Sequence, residues 1–161
     1  MLWSRTPVTT GVATRLGAAP PVSDLDWPMT RLTWTRASAV AAALGGRLPT
    51  DAEWEWMAGG GVRRYPWGDV DPTARHANLR DLGPGRSTPV GAYPAGATPD
   101  GLLDVAGNVW EWTATTVPGG GALVRGGSYQ SIRLYARCGF GNDIPQSLSS
   151  RGIGLRVVRP A

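Results

Sequence analysis

Two segments of the chain carry apolar side chains at the spacing of an α-helix. In the first, TWTRASAVAAALGG, Thr33 is placed to cap the start of a helix, and Gly45-Gly46 can end it in the left-handed conformation. Its apolar positions recur every three or four residues, at Trp34, Ala37, Val40, Ala41 and Leu44. The pattern predicts an amphipathic helix with one side on a core.

The second segment, RLPTDAEWEWMAGGG, begins with a capping box. The Thr50 hydroxyl can accept a hydrogen bond from the backbone of Glu53, and the Glu53 carboxylate can accept one from the backbone of Thr50. Trp54 and Met57 then share one side, and Gly59 ends the pattern. We interpret both helices as structural elements.

Alternation with a period of two predicts strands in the second half of the chain. Trp110 and Trp112 alternate with Glu111 in GLLDVAGNVWEW, and the segments ALVRGGSY and GIGLRVVR predict two further strands. Turn residues dominate positions 63–99, where we expect loops and one short strand at 90–93. The predicted core consists of Trp34, Leu48, Trp54, Val90, Leu103, Trp110, Trp112, Leu123, Ile153, Leu155 and Val157.

These elements predict one α+β domain in which two helices surround small antiparallel sheets. The chain has 161 residues, with 23 Gly and 14 Pro, which suits a single loop-rich domain. We assign residues 1–27 to an N-terminal arm with one short strand, and residues 28–161 to the domain.

Composition limits the possible functions. A single Cys138 and a single His76 exclude an internal disulfide, a cysteine cage and a histidine-rich metal centre within one chain. All 16 basic residues are Arg and the net charge is +4, but the arginines are spread along the chain, so no nucleic-acid partner is expected. No apolar signal core is present, so nothing in the sequence directs secretion, and no membrane insertion is expected because no apolar run has membrane length. The location of the protein is left open among the cytoplasm, a virion and the cell surface.

Seven motifs in a fixed order resemble the formylglycine-generating-enzyme (sulfatase-modifying factor) domain, a branch of the C-type lectin fold. The resemblance extends from about residue 28 to residue 159, and that family's longer N-terminal part is replaced here by the arm. The motifs are RLPTDAEWEWMA, YPWGD, AN at 77–78, TPVGAYP, GLLDVAGNVWEW, LVRGGSY and GIGLRVV.

The resemblance implies three candidate functions. The founding enzyme oxidises a substrate cysteine, with two cysteines after the GGSY motif that hold copper(I). Here residues 130–135 contain no thiol, and Cys138 alone cannot form the pair. In iron-dependent sulfoxide synthases the domain assists a helical bundle with histidine ligands. That bundle is absent from this chain, which leaves an accessory role to another chain open.

The third candidate is the variable protein of a diversity-generating retroelement. Such elements replace adenines of a template with any base. An AAC codon therefore becomes an NNC codon, in which N is any base. Between residues 129 and 150, only Gln130 and Gln146 fall outside the amino acids that NNC encodes. Trp and Glu, common upstream, are absent from this stretch. Because buried and turn residues at its borders hold the fold, substitutions between them have little effect on stability.

The sequence therefore predicts a non-catalytic ligand-binding protein, not an enzyme, with a variable region at 125–158. Its partner is an unknown protein or surface ligand, and we expect a monomer. The alternative is a catalytic or accessory domain of the formylglycine-generating-enzyme family. Whether Ile132, Ile144 and Leu148 lie in the core or on the surface is left open. The predicted ligand-binding residues are Tyr129, Ser131, Ile132, Leu134, Tyr135, Phe140, Gly141, Asn142, Asp143, Ile144, Ser147 and Ser149.

No cofactor is required by this interpretation, but the resemblance implies a structural calcium ion. Its ligands would be the side chains of Asp104 and Glu111 with the carbonyls of Gly107 and Val109, a set of hard oxygens that suits calcium. A second family site would involve Asn78. The alternative is that the two carboxylates bind backbone amides or arginines.

Overall fold

The computed structural model describes residues 1–17 and 23–161. Both predicted helices are confirmed, as α2 (Trp34–Ala43) and α3 (Asp51–Ala58). The capping box of α3 is complete, since the Glu53 amide donates to Thr50 Oγ1 at 3.2 Å and the Thr50 amide donates to Glu53 Oε2 at 2.8 Å. Gly59 ends this helix with a φ of 104°, a conformation that favours glycine.

The N-terminal arm contains more structure than the sequence indicates. Residues 10–15 form a third helix, α1 (Thr10–Arg15), which Thr9 caps. Strand β1 (Leu2–Trp3) pairs with β6 (Val158–Arg159) at the other end of the chain. The helix was missed because six residues are too few to show a hydrophobic period. Part of the predicted arm, residues 18–22, lies outside the described residues.

The main sheet has four strands in the order β4-β3-β2-β5. These are β2 (Trp110–Val117), β3 (Gly121–Arg125), β4 (Gly141–Pro145) and β5 (Ile153–Leu155). The expected antiparallel pairing is confirmed for β1 with β6, β2 with β3 and β3 with β4, whereas β2 and β5 run parallel, with Trp110 opposite Ile153. The strand expected at 90–93 is also not formed, and a 3-10 helix (Pro94–Gly96) follows a turn there.

The largest core cluster lies between α2 and the sheet. Trp112 and Leu155 are fully buried in it, while Trp34 and Trp110 are partly buried at its border. The Trp112 indole donates to the Leu32 carbonyl at 3.0 Å, which ties the sheet to the segment before α2. These contacts confirm a loop-rich α+β fold. In the described ranges, no helix has the length and apolar character to cross a membrane.

Candidate ligand-binding face

The RGGS turn after β3 fixes the start of the surface formed by residues 129–150, called here the 129–150 face. Gly126 and Gly127 have φ values of 91° and 76°. A Cβ at Gly126 would lie 2.6 Å from the Val105 carbonyl oxygen, so this close approach requires glycine. The chain therefore leaves the core at one defined point and direction.

Arg125 ties this turn to helix α3. Its side chain is 4% exposed, and its guanidinium donates to Asp51 at 2.5 and 2.6 Å and to Glu55 at 2.8 Å. It also donates to the Cys138 carbonyl at 3.1 Å, inside the segment that the turn introduces. One buried guanidinium thus fixes both borders of residues 126–138 with charge-assisted bonds.

Strand β4 carries the other half of the face. It pairs with β3 and lies at the edge of the sheet, with Asn142 opposite Val124 and Asp143 opposite Leu123. Asn142 and Asp143 are exposed. Since β3 supplies the backbone hydrogen bonds, side chains on β4 can change with little effect on pairing.

A cavity of about 290 Å³, called here the aromatic cavity, lies where these segments meet β2. Its wall includes Trp110, Tyr135, Asn142, Ile144 and Leu148. Three rings cluster there: Tyr135 and Phe140 are 4.6 Å apart between centroids, and Trp110 is 6.0 Å from Tyr135 and 6.3 Å from Phe140. The arrangement offers flat apolar surfaces and an adjacent amide in a solvent-open depression.

The structure places most of the predicted face residues where a ligand could reach them. The exposed ones are Ile132, Leu134, Gly141, Asn142, Asp143, Ser147 and Ser149, and the half-buried ones are Tyr129, Tyr135, Phe140 and Ile144. Of the positions left open, Ile132 and Leu148 are 40% and 41% exposed, whereas Ile144 packs against the core.

Ser131 is only 5% exposed, although it contributes to the wall of the aromatic cavity. Its hydroxyl accepts a hydrogen bond from the Ser128 amide at 2.8 Å and therefore closes the turn. Trp110 is the residue that sequence reasoning assigned to the core alone. Its alternation with Trp112 gave no sign that one side of its ring would line a cavity.

Cys138 is a buried, protonated thiol. It is 1% exposed, its Sγ donates to the Ala58 carbonyl at 3.1 Å, and burial raises its pKa to about 11. Such a group is a poor nucleophile and a poor metal ligand. Across residues 1–17 and 23–161, no three His, Cys, Asp or Glu side chains are grouped to hold a metal ion.

The predicted calcium loop is organised around an arginine. Glu111 is 0% exposed, and it accepts from Arg156 at 2.8, 3.1 and 3.2 Å and from the Trp54 indole at 2.6 Å. The Asp104 carboxylate accepts from the Gly91 amide at 2.5 Å, and burial raises the pKa of Asp104. The buried Arg156 cation would repel a calcium ion. The predicted ligand set, with Gly107 and Val109, therefore does not fit one.

Asn78, named for the second family site, is also buried. Its amide group donates to the Arg86 carbonyl at 2.8 Å, but its Oδ1 has no hydrogen-bond partner among the described residues. One neutral oxygen, with no cluster of carboxylates beside it, is a weak cation site. Calcium at either place is implied by the family resemblance alone, and the contacts of the described side chains do not favour it.

Comparison with known proteins gives the family of this fold. The profile of the family described as "Sulfatase-modifying factor enzyme 1-like domain" matches residues 6–161. Hercynine oxygenase of Mycolicibacterium thermoresistibile is 47% identical over 110 residues, which cover 65% of this chain and 24% of that protein. Formylglycine-generating enzyme of Streptomyces coelicolor is 36% identical over 173 residues, which cover 83% of this chain and 53% of that protein.

Two solved structures show the same fold at low identity. Treponema denticola variable protein 1 has a TM-score of 0.79 at 19% identity, over 96% of this chain and 82% of its own. CarF has a TM-score of 0.79 at 24% identity, over 99% of this chain and 85% of its own. Such identities establish architecture and not function.

The curated relatives overturn one prediction. Hercynine oxygenase and formylglycine-generating enzyme are named as enzymes, so the expectation that this protein is not an enzyme is wrong. The prediction depended on the absence of the cysteine pair and of the helical bundle, and the absence of these features does not exclude enzymatic activity. The chain spans about a quarter of the length of the hercynine oxygenases it matches.

Proposed function

The chain belongs to the sulfatase-modifying factor enzyme 1-like domain family, and on that premise we propose that it is the substrate-binding domain of an oxidising enzyme. The observation that carries the proposal is the aromatic cavity. It lies where the 129–150 face meets β2, and Arg125 ties the start of the face to helix α3 and to the Cys138 carbonyl. A rigid site of this kind can orient a substrate for a reacting group.

The relatives with 47% identity suggest the first substrate to test. These relatives are named hercynine oxygenase. Hercynine, a betaine of histidine, carries a quaternary ammonium group. Such a cation is attracted to the faces of aromatic rings, most strongly to those of Trp and Tyr. Trp110 and Tyr135, both in the wall of the aromatic cavity, offer these rings.

The group that reacts with the oxidant is assigned to another domain or another chain. This chain has one cysteine and one histidine, and the cysteine is buried with a pKa of about 11. Its own residues bind and orient the substrate and exclude water from one side. The relatives, which are longer, leave room for a further domain with the reacting centre.

A binding experiment tests this function without the oxidant. Calorimetric titration with hercynine should show saturable binding to the wild-type chain, and Tyr135→Ala should weaken it about fivefold, the loss of roughly 1 kcal/mol of cation–π attraction. Trp56→Ala is the matched control, because Trp56 is a 74% exposed aromatic residue outside the cavity wall. Absence of binding at millimolar hercynine, or equal weakening by both variants, contradicts the proposal.

The second candidate function is binding of a protein or surface ligand by a face that a retroelement diversifies. Ile132, Leu134 and Leu148 are 40–43% exposed, within a stretch where only Gln130 and Gln146 are incompatible with NNC codons. Exposed apolar side chains of this kind are typical of surfaces that bind a partner. They support a face diversified by a retroelement to bind a protein or surface ligand, with the chain as a monomer.

The genome gives a direct test of this second candidate. We expect an adenine-rich second copy of the last coding segment close to a reverse transcriptase gene. A locus without either feature rejects diversification by a retroelement, and it leaves the proposed role in an oxidising enzyme untouched.

A further inference from the structure

A second cavity, of about 310 Å³, lies beside the aromatic cavity and has a different chemistry. Three arginines, Arg63, Arg64 and Arg137, line it together with Leu134, Gly139 and Phe140. We call it the arginine pocket. The Phe140 ring lies tilted against Tyr135, at 4.6 Å between centroids; Tyr135 lines the aromatic cavity and Phe140 lines the arginine pocket.

The positive charge of the arginine pocket is not balanced within the described part of the chain. Neither Arg63 nor Arg137 has a side-chain hydrogen bond or ion pair with a described residue. Arg64 meets Asp71 only at 3.7 Å, with both side chains about half exposed or more. Glu55 lies near Gly139, but its carboxylate is bound to Arg125 at 2.8 Å. An anion would therefore find free donors here.

Arg63 gives the strongest indication that an acceptor belongs here. Its Nε is buried and has no hydrogen-bond partner among the described residues. A buried charged donor without an acceptor is unfavourable, so such a group normally binds ordered water, an ion or a ligand. The guanidinium lies against Gly59, where a Cβ would be 2.4 Å from its Nη2, so Arg63 also borders the neighbouring cavity that Gly59 lines.

We propose that the arginine pocket binds the carboxylate of a small organic acid. Guanidinium groups match the planar geometry of a carboxylate and can bind it through two hydrogen bonds. Leu134 and Phe140 supply an apolar wall for the body of the ligand. A nucleic acid is a poorer fit, because the three arginines share a cavity with apolar residues and do not form an extended basic stripe.

This site does not depend on the proposed enzymatic role, and its test uses simple anions. The chain is titrated at low ionic strength, without phosphate buffer, with sodium benzoate, sodium acetate and sodium phosphate, by calorimetry or by NMR. Benzoate should bind more tightly than acetate, because the apolar wall contacts its ring. Arg137→Gln should weaken benzoate binding about tenfold, whereas the control Arg86→Gln, an exposed arginine outside the pocket, should leave it unchanged.

A third variant separates the two parts of the pocket. Leu134→Ser should weaken benzoate binding and leave acetate binding as it is, and because Leu134 is 43% exposed the variant should fold normally, as circular dichroism can verify. Equal effects of Arg137→Gln and Arg86→Gln would overturn the site. Tighter binding of phosphate than of benzoate would overturn its assignment to an organic acid.

Discussion

At the residue scale, the surroundings of Glu111 decide its role. Its carboxylate lies in the protein interior between the Trp54 indole and the Arg156 guanidinium. Arg156 in turn donates to the carbonyls of Ser4 and Leu103, both at 2.8 Å, so one ion pair connects the N-terminal arm, the loop before β2 and β5. A calcium ligand and a partner of an arginine look identical in the sequence.

Glu111→Gln should strongly destabilise the fold. The variant leaves the Arg156 charge buried without compensation, which typically costs about 3–5 kcal/mol. The measurement is the free energy of unfolding from urea titration. Asp71→Asn, which removes an ion pair at 3.7 Å on the surface, is the control and should change stability by less than about 1 kcal/mol. Similar effects of the two variants would contradict this account.

Calcium should leave the protein unchanged. Because Arg156 already neutralises Glu111, addition of millimolar calcium chloride should produce no binding heat and no rise in melting temperature. Differential scanning calorimetry with and without calcium checks this. A calcium-dependent rise that magnesium does not produce would show that the loop rearranges to bind the ion.

Cys138 should be unreactive in the folded protein. At pH 8 a thiol reagent should modify it only after denaturation, since burial raises its pKa to about 11 from a reference value of 9.0. A raised pKa favours the folded state while the thiol is protonated. This contribution is therefore complete below about pH 9 and is lost as the pH rises toward 11. Rapid modification of the native protein at pH 8 would show that the thiol is accessible.

At the scale of the element, the capped helices are the parts most predictable from the sequence. Thr50 and Glu53 specify the start of α3 through local hydrogen bonds, and Gly59 specifies its end through its conformation. The short helix α1 and the parallel pairing of β5 with β2 depend on distant contacts, such as the Val8 amide with the Leu155 carbonyl at 2.9 Å. No local pattern encodes those contacts.

Thr50→Ala tests the capping box of α3. Loss of the cap should lower the free energy of unfolding by about 1 kcal/mol, because the Glu53 amide loses its acceptor. Thr35→Ala is the matched control on the exposed side of α2 and should change stability by less than about 0.5 kcal/mol. An equally small effect of Thr50→Ala would mean that tertiary packing alone holds the helix.

At the scale of the whole molecule, a rigid framework supports a tolerant surface. Arg125 and the RGGS turn hold the borders of the 129–150 face, and β5 and β6 return the chain to the core and to the N-terminal arm. The two cavities lie where this surface meets the framework. The proposed substrate site and the proposed variable region therefore lie in the same part of the molecule.

Two leucine-to-alanine substitutions compare how much the core and the 129–150 face contribute to the stability of the fold. Leu155→Ala should lower stability by about 2–5 kcal/mol, because Leu155 is fully buried in the main core. Leu148→Ala should change stability by less than about 1 kcal/mol, since Leu148 is 41% exposed on the face. Thermal or urea unfolding measures both. A large loss for Leu148→Ala would show that the face contributes to the core.

The sequence by itself determined the capped helices α2 and α3 and three of the strands. It also determined that a copper-binding cysteine pair is absent after the GGS motif. These features depend on local hydrogen bonds, on hydrophobic period and on residue identity, which can be read from neighbouring positions.

The tertiary structure alone decided which polar residues are available for chemistry. It buried Ser131, paired Glu111 with Arg156, brought Trp110 to the wall of a cavity, and placed Arg63 beside Arg137. Each of these outcomes joins residues far apart in the chain or depends on desolvation. Because the charge and exposure of a side chain are set by its spatial neighbours, they are determined only when the chain folds.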